Sequence, residues 1–192
     1  VILVGVISYN KAEEGMISNY EISAQNTINT QVEYLDFGLN LIRSDIVQLK
    51  LDKELQSLAA GTYANDISKY SSTWNKTSST LATKATLNHF IDKIYVIPKQ
   101  ITDIISTVSE GSAKKKGFYE DWVKTEEGIL ITKGENVGWV SSHDEMDKKT
   151  GYNPEEYFIS YMSNFPNNAA VIVVDINKQA ILDSLQSIDY SE

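Results

Sequence analysis

The stretch that decides the fold lies near the end of the 192-residue chain, where residues 169–176 read AAVIVVDI. Its centre, Val171 to Val174, consists of four consecutive β-branched residues, which is typical of a buried strand in the middle of a sheet. A helical pattern, Lys178–Ile188, follows directly, with Asn177 as its predicted N-cap. A central strand needs neighbours on both sides, so further strands are expected upstream.

Short apolar segments separated by turn signals fill most of the second half of the chain. Proline and asparagine mark turns at residues 152–154 and 166–168. The predicted elements are a second helix over Asp66–Asp92, strands at Ile91–Ile97, Ile101–Val108, Gly138–Asp144 and Tyr157–Phe165, a small strand at Ile129–Thr132, a short helix at Tyr119–Thr125, and a loop at Glu110–Gly117 that carries the basic run Lys114–Lys116.

Apolar residues at alternating spacings of four and three predict a long helix near the N-terminus. The pattern runs from about Lys11 to Leu58, so residues 10–60 are assigned to one helix that ends at the stop signal Ala59-Ala60-Gly61. An ordinary amphipathic helix, broken near Gly15 or Gly38, is the alternative. The heptad positions are Ile28, Val32, Leu35, Leu39, Ile42, Ile46 and Leu49.

The two ends of the chain lead us to expect a fragment of a longer protein. Residues 1–7 read VILVGVI without an initiator Met, and the polarity rises at once after them. Seven residues are too few to span a bilayer, which needs about 20. We interpret residues 1–9 as the outer end of a transmembrane helix; a buried strand or helix start is the alternative. The chain stops at Glu192 without a second hydrophobic segment, so a further module is expected after it.

Composition argues against several classes of function. A net charge of −9 argues against nucleic acid, where a basic face supplies most of the affinity. Without cysteine there is no disulfide framework, thiolate zinc site or cysteine nucleophile. No nucleophile elbow or phosphate-binding glycine loop is present, and the pair His143-Asp144 lacks the further histidines of a metal site. We therefore expect no enzyme, no metal and no cofactor.

The order of the elements resembles a Cache sensor domain, the PAS-like extracytoplasmic module of bacterial chemoreceptors, sensor kinases and cyclases. The resemblance implies an α+β fold in which a long N-terminal helix precedes a five-stranded, mostly antiparallel sheet flanked by helices, with residues 61–192 as the ligand-binding module. The segments that carry it are Ile94–Pro98, Gly138–Val140, Glu156–Tyr161, Ala170–Asp175 and Ile181–Leu185.

The resemblance also implies a function. It is closest to the first module of a double-Cache sensor in a methyl-accepting chemotaxis protein or a related receptor such as a histidine kinase. Such a domain lies on the extracytoplasmic side of the cell membrane. The expected partners are a small molecule (an amine, an amino acid or a related metabolite), the membrane through flanking helices, and a second copy of the chain through the long helix. The alternative is a helical scaffold or dimerisation domain that binds no ligand.

Alternation along the strands selects a candidate pocket, because residues two apart share a face. If the selected faces coincide, their aromatic rings form a box with one carboxylate at its edge. Such a box suits an ammonium group, through cation–π attraction of ~0.5–2 kcal/mol and a hydrogen bond to the carboxylate. The alternatives are that the aromatic residues are simply core and that Asp175 caps backbone N–H groups. The candidate ligand-binding residues are Tyr95, Trp122, Trp139, Ser141, His143, Tyr157, Tyr161 and Asp175.

One departure from the family pattern bears on the ligand. Amino-acid-binding double-Cache sensors carry an arginine two residues before a strand tryptophan, several tyrosines, and an aspartate on the last strand. Here Val137 stands in the arginine position, and the only arginine of the chain is Arg43. A bidentate guanidinium clamp on a carboxylate is therefore absent from this pattern, which makes a cationic or neutral ligand at least as good an expectation as an α-amino acid.

Overall fold

The computed structural model describes residues 2–101, 103–107, 118–151 and 155–186. A long N-terminal helix leads into a five-stranded antiparallel sheet flanked by helices, which confirms the predicted α+β fold class. The helices are α1 (Ile2–Leu51), α2 (Lys53–Ala59), α3 (Ile67–Leu87), α4 (Phe118–Trp122), α5 (Glu126–Ile129), α6 (Asp144–Thr150) and α7 (Lys178–Gln186), with a π-helix at Leu130–Gly134 and a 3-10 turn at Pro166–Asn168. The strands are β1 (Ile91–Pro98), β2 (Ile105–Ser106), β3 (Val137–Val140), β4 (Tyr157–Asn164) and β5 (Ala170–Asn177).

Helix α1 is a single helix of 50 residues, about 75 Å long, without the break predicted as the alternative near Gly15 or Gly38. It stops before Leu58, because Asp52 takes an extended backbone conformation and starts α2. The Asp52 carboxylate accepts hydrogen bonds from the backbone N–H groups of Glu54 and Leu55 at 2.8 and 3.0 Å. The predicted helix over residues 10–60 is therefore two helices. The predicted stop is confirmed, with Gly61 in the left-handed region at φ +71°.

The heptad positions of α1 do not all pack in the same way. Ile42, Ile46 and Leu49 are buried against the sheet, whereas Val32 and Ile28 are exposed. A strict seven-residue repeat drifts by ~20° per heptad around a straight helix, so its N-terminal members leave the packed face. The sheet therefore packs on the C-terminal part of α1.

The sheet has the strand order β2-β1-β5-β4-β3, so β5 is central as predicted. Ile172, Val174 and Ile176 of β5 belong to the apolar core built with α1, α2, α3 and α7; we call this side the helix face. Val171 and Val173 belong to a second core built with α4, the π-helix and α6; we call this side the site face. Two cores on one sheet explain why β5 carries a nearly continuous apolar run.

Several predicted local elements differ from the structure. The strand predicted at Ile129–Thr132 is wrong, because these residues form the end of α5 and the π-helix. The strand predicted at Gly138–Asp144 ends at Val140, and Asp144 begins α6. Within the described part of Ile101–Val108, only Ile105 and Ser106 are in a strand. The loop predicted at Glu110–Gly117 lies outside the described residues. Asn177 caps α7 as predicted, accepting from the Ala180 N–H at 3.0 Å.

Helix α1 contains the residues interpreted above as the end of a transmembrane helix. Over the described residues, none of the helices combines the length and the apolar character that a bilayer crossing requires.

Candidate functional site

A β-bulge in β4 decides which tyrosine faces the site. Tyr157 is opposite Asn177 and Ser160 is opposite Asp175, so three steps along β4 match two steps along β5. Tyr157 and Ser160 therefore share the site face with Asp175. Tyr161 is opposite Val174 and lies on the helix face. The prediction that Tyr157 and Tyr161 share a face is wrong, because simple alternation does not hold across a bulge.

Trp139 also lies on the helix face, since it is paired with Tyr161. The two ring centroids are 4.7 Å apart, and the guanidinium carbon of Arg43 lies 5.8 Å from the Trp139 ring centroid. The predicted box that combines Trp139 and Tyr161 with Asp175 is therefore wrong. These two residues instead form a contact between the sheet and α1, in which the only arginine of the chain stacks on the tryptophan.

His143 reaches the site face from outside the sheet. It precedes α6 and has left the strand three residues earlier, so its direction follows from the turn and not from alternation. The imidazole is fully buried, with Nε2 2.7 Å from Asp175 Oδ1. Its Nδ1 lies 2.9 Å from Oδ1 of Asp147, which comes one helical turn later. This second contact is a close ion pair that is not aligned as a hydrogen bond.

Tyr157 and Ser160 complete the polar contacts around the imidazole. The Tyr157 hydroxyl donates to Asp147 Oδ2 at 2.9 Å and accepts from the backbone N–H of His143 at 3.1 Å. Its ring stacks on the imidazole at a centroid distance of 4.7 Å. The Ser160 hydroxyl donates to Asp175 Oδ1 at 2.7 Å. We call the group of Tyr95, His143, Asp147, Tyr157, Ser160 and Asp175 the His143 cluster.

Tyr95, like Asp175, lies on the face that alternation predicted. It is opposite Val173 on the site face, and its ring meets that of His143 edge-on at a centroid distance of 6.4 Å. Burial, together with the negative charges of Asp175 and Asp147, raises the pKa of Tyr95. The phenol of Tyr95 is therefore neutral at neutral pH.

The electrostatics of the cluster favour a protonated imidazole. Burial alone lowers the pKa of His143, but the contacts with Asp147 and Asp175 outweigh burial and raise the pKa from the ordinary 6.5 to about 9. Burial also raises the pKa of Tyr157, so this phenol keeps its proton. The result at neutral pH is an imidazolium ion held between two carboxylates and against an aromatic ring.

This arrangement has the residue types of a hydrolase triad but not the geometry. Ser160 donates to the same Asp175 oxygen as His143, so the serine is not activated by the imidazole. Both ring nitrogens of His143 face carboxylates, which leaves neither of them to act as a base. Among the described residues no group of His, Asp and Glu side chains is placed to hold a metal ion. The arrangement instead has the chemistry of a cation-binding site.

Besides His143 Nδ1 and Asp147 Oδ1, which face each other, two polar atoms in or beside the cluster are buried without a hydrogen-bond partner among the described residues. One is Asp175 Oδ2, and the other is Nε1 of Trp122 on α4. Trp122 is almost fully buried in the core of the site face. Unsatisfied buried polar groups are uncommon and mark places where a water or a ligand atom fits.

Ser141 lies on the rim of a cleft and not in the buried cluster. The cleft has a volume of about 740 Å³ and lies between α5, the π-helix and the start of α6. A second cleft, of about 400 Å³, lies between the end of β1 and α4. The residues that line the first cleft are Thr125, Glu126, Glu127, Leu130, Trp139, Val140, Ser141, Ser142, Asp144, Glu145 and Lys148.

Of the eight predicted residues, the structure brings together Tyr95, His143, Tyr157 and Asp175 and places Trp122 in the adjoining core. Sequence reasoning missed Asp147 and Ser160 as members of the site. Asp147 had a signal, since it follows His143 by four residues, the spacing that places two side chains on one face of a helix. Ser160 had none, because its position depends on the register of β4.

Comparisons of the chain with protein-family models, with curated proteins and with solved structures found no match.

Proposed function

We propose that this chain is the extracytoplasmic ligand-sensing domain of a transmembrane signal-transduction receptor, such as a chemoreceptor, and that it binds a small amine, amino acid or related metabolite. Its place is the outer side of the cell membrane. The architecture supports the proposal, because a long helix followed by a five-stranded antiparallel sheet flanked by helices is what the Cache resemblance implies.

The observation that carries the proposal is the burial of the Asp175 carboxylate. This carboxylate is fully buried in the central strand, between the rings of Tyr95 and Tyr157 on neighbouring strands, and its Oδ2 has no hydrogen-bond partner among the described residues. Burying a carboxylate costs several kcal/mol unless paired groups compensate for it. His143 and Ser160 compensate Oδ1 of Asp175, whereas Oδ2 has no such partner among the described residues, and this second oxygen is the group that supports binding.

The contacts between α1 and the sheet offer a route for a signal. Lys50 donates to the Ser163 hydroxyl at 2.9 Å, and Arg43 stacks on Trp139. Burial lowers the pKa of Lys50, as expected for an ammonium group held against the sheet. In the proposed mechanism, a ligand on the site face shifts β4, and these two contacts carry the shift to α1 as a small slide or rotation.

A thermal-shift screen of the wild-type protein against amines, amino acids and organic acids tests the proposal. Binding to the folded state raises its stability by RT ln(1 + [L]/Kd), so at least one compound class is expected to raise the melting temperature. Asp175→Ala should remove that shift, whereas Tyr161→Phe, on the opposite face of the sheet, should keep it. If no compound class gives a shift, the sensing function is wrong.

The alternative, a scaffold without a ligand, is favoured by a different observation. The cation site is closed, since His143 and Asp175 are fully buried, while α1 exposes Met16, Ile17 and Tyr20. Exposed apolar side chains along a helix are typical of a surface that pairs with another helix. Sedimentation equilibrium separates the two functions: a scaffold predicts a stable dimer and a screen without shifts.

A further inference from the structure

The His143 cluster is a cation site that is already filled. Two carboxylates, Asp147 and Asp175, lie 2.9 and 2.7 Å from the two ring nitrogens of one imidazole. Tyr157 covers the face of the imidazole, and Tyr95 meets it edge-on. Carboxylates and aromatic faces are the groups that bind an ammonium or amidinium ion. The surroundings that were expected to bind a ligand thus hold a side chain of the protein itself.

We propose that His143 is an internal occupant of this cation site and that an external organic cation binds there by displacing the imidazole as the start of α6 moves outward. The proposal rests on the proposed sensing function and deepens it: it names the ligand class, a small organic cation, and makes α6 the gate of the site. The ligand then takes the place of the imidazolium beside Asp175, while Asp147, which lies on α6, moves outward together with His143 and remains its partner, so both carboxylates keep a cationic partner.

Only a few of the described side chains attach the start of α6 to the sheet, as expected for an element that can move. Among those of its side chains that the structure describes, Met146 and Asp147 are buried, while Asp144, Glu145 and Lys148 are exposed. The connection to β3 is the exposed pair Ser141–Ser142. His143, Met146 and Asp147 therefore fix the first turn of α6 to the site face, and two of these three contacts belong to the cation site.

The cleft outside α6 has the charge that an incoming cation requires. Glu126 and Glu127 line one side, and Asp144 and Glu145 line the other. The one lysine of the lining, Lys148, is paired with Glu145 at 3.0 Å. A cleft lined by one sign of charge concentrates counter-ions and steers them inward. This cleft borders the residues that join β3 to α6, so it leads to the proposed gate.

Removing the occupant tests the cation site. His143→Ala leaves a space of the size of an imidazole beside Asp175, and imidazole at pH 7 should then bind at least tenfold more tightly than to the wild-type protein. Pyrazole has the same ring shape but is neutral at this pH, so it is the matched probe for shape alone. Met146→Ala opens an apolar space on the same face of α6 and should gain no affinity for imidazole. The measurements are calorimetric titration and thermal shift.

The outcomes of this experiment are decisive in both directions. Stronger binding of imidazole than of pyrazole to His143→Ala, lost when Asp175→Asn is added, supports the cation site. Equal binding of the two rings, or no gain over the wild-type protein, overturns it. If His143→Ala does not fold alone, imidazole should restore its far-UV circular dichroism and cooperative unfolding where pyrazole does not; failure of that rescue overturns the proposal as well.

Displacement itself is tested in the wild-type protein by NMR of the histidine rings. The chain contains two histidines, and the exposed His89 serves as an internal reference. Any amine that raises the wild-type melting temperature should shift the His143 ring signals and leave those of His89 unchanged. An amine that binds without moving the His143 signals overturns the displacement but leaves the sensing function standing. A screen without shifts refutes the sensing function, whereas the His143→Ala titration still decides the cation site.

Discussion

The ion pairs of His143 should make the stability of the protein fall between neutral and alkaline pH. The pKa of His143 rises from 6.5 in the unfolded chain to about 9 in the folded protein. A group with a raised folded-state pKa stabilises the fold fully at pH values below its unfolded pKa, and this contribution is lost as the pH rises through the folded value. At ~1.4 kcal/mol per pH unit, the difference corresponds to about 3 kcal/mol of folding free energy. That is a large part of the ~5–15 kcal/mol by which domains are stable.

Urea unfolding at pH 6, 8 and 9.5 measures this effect, with His143→Gln as the variant that does not titrate. The free energy of unfolding of the wild-type protein should fall by about 3 kcal/mol more than that of His143→Gln over this range. The buried phenols of Tyr95 and Tyr157 also have raised pKa values, but their contribution is lost only above pH ~10, the ordinary tyrosine pKa, outside the range.

His89→Gln is the matched control, because His89 is exposed and bonds to the Tyr34 hydroxyl at 2.8 Å. Its pH profile should follow that of the wild-type protein. Parallel profiles for wild type and His143→Gln would refute the reasoning, since they would mean that the imidazole does not gain a proton-dependent partner on folding.

Three further predictions concern the fold and are measured by chemical denaturation. Ile46→Ala should lower the free energy of unfolding by about 2–5 kcal/mol, because Ile46 is buried under the sheet. Ile17→Ala, at an exposed position of the same helix, should lower it by less than ~0.5 kcal/mol. Equal losses for the two variants would contradict the assigned packing. Asp52→Ala should lower the free energy of unfolding by about 1 kcal/mol, because the N-cap of α2 is lost, whereas Asp52→Asn should retain most of the stabilisation that the cap provides. Gly38→Ala should lower the free energy of unfolding by about 1–3 kcal/mol, although alanine favours helices, because the added methyl group would clash with the Phe90 ring; a stabilised variant would contradict this close approach.

The sequence predicted which segments form helices and strands better than it predicted on which face of the sheet a side chain lies. The long helix and the central strand depend on local patterns, namely heptad spacing and consecutive β-branched residues, and both are present. The face of Tyr161 depends on a bulge, and the position of His143 depends on where β3 stops. Neither feature leaves a periodic signal, so alternation placed Tyr161 beside Asp175 when it lies on the other side of the sheet.

The cation site shows the same limit. An aromatic box with Asp175 was predicted from alternation along the strands, and in the structure the rings of Tyr95 and Tyr157 contact the imidazole of His143, which itself bonds to that carboxylate. That His143 would be the cation could not be predicted, because it requires a turn that folds the histidine back over the sheet and a helix that supplies Asp147. Such contacts are set by tertiary packing, which no short window of sequence contains.

Ser160 and Tyr161, two consecutive residues of β4, lie on opposite faces of the sheet. Ser160 bonds to the buried carboxylate on one side of the sheet, and Tyr161, the next residue, packs under the tryptophan that Arg43 of α1 covers on the other. The two side chains share one stiff peptide unit, so the wall between them is a single backbone thick. In the proposed mechanism, a displacement of Ser160 would therefore also displace Tyr161, and only Trp139 and Arg43 would separate that movement from the 50-residue helix α1.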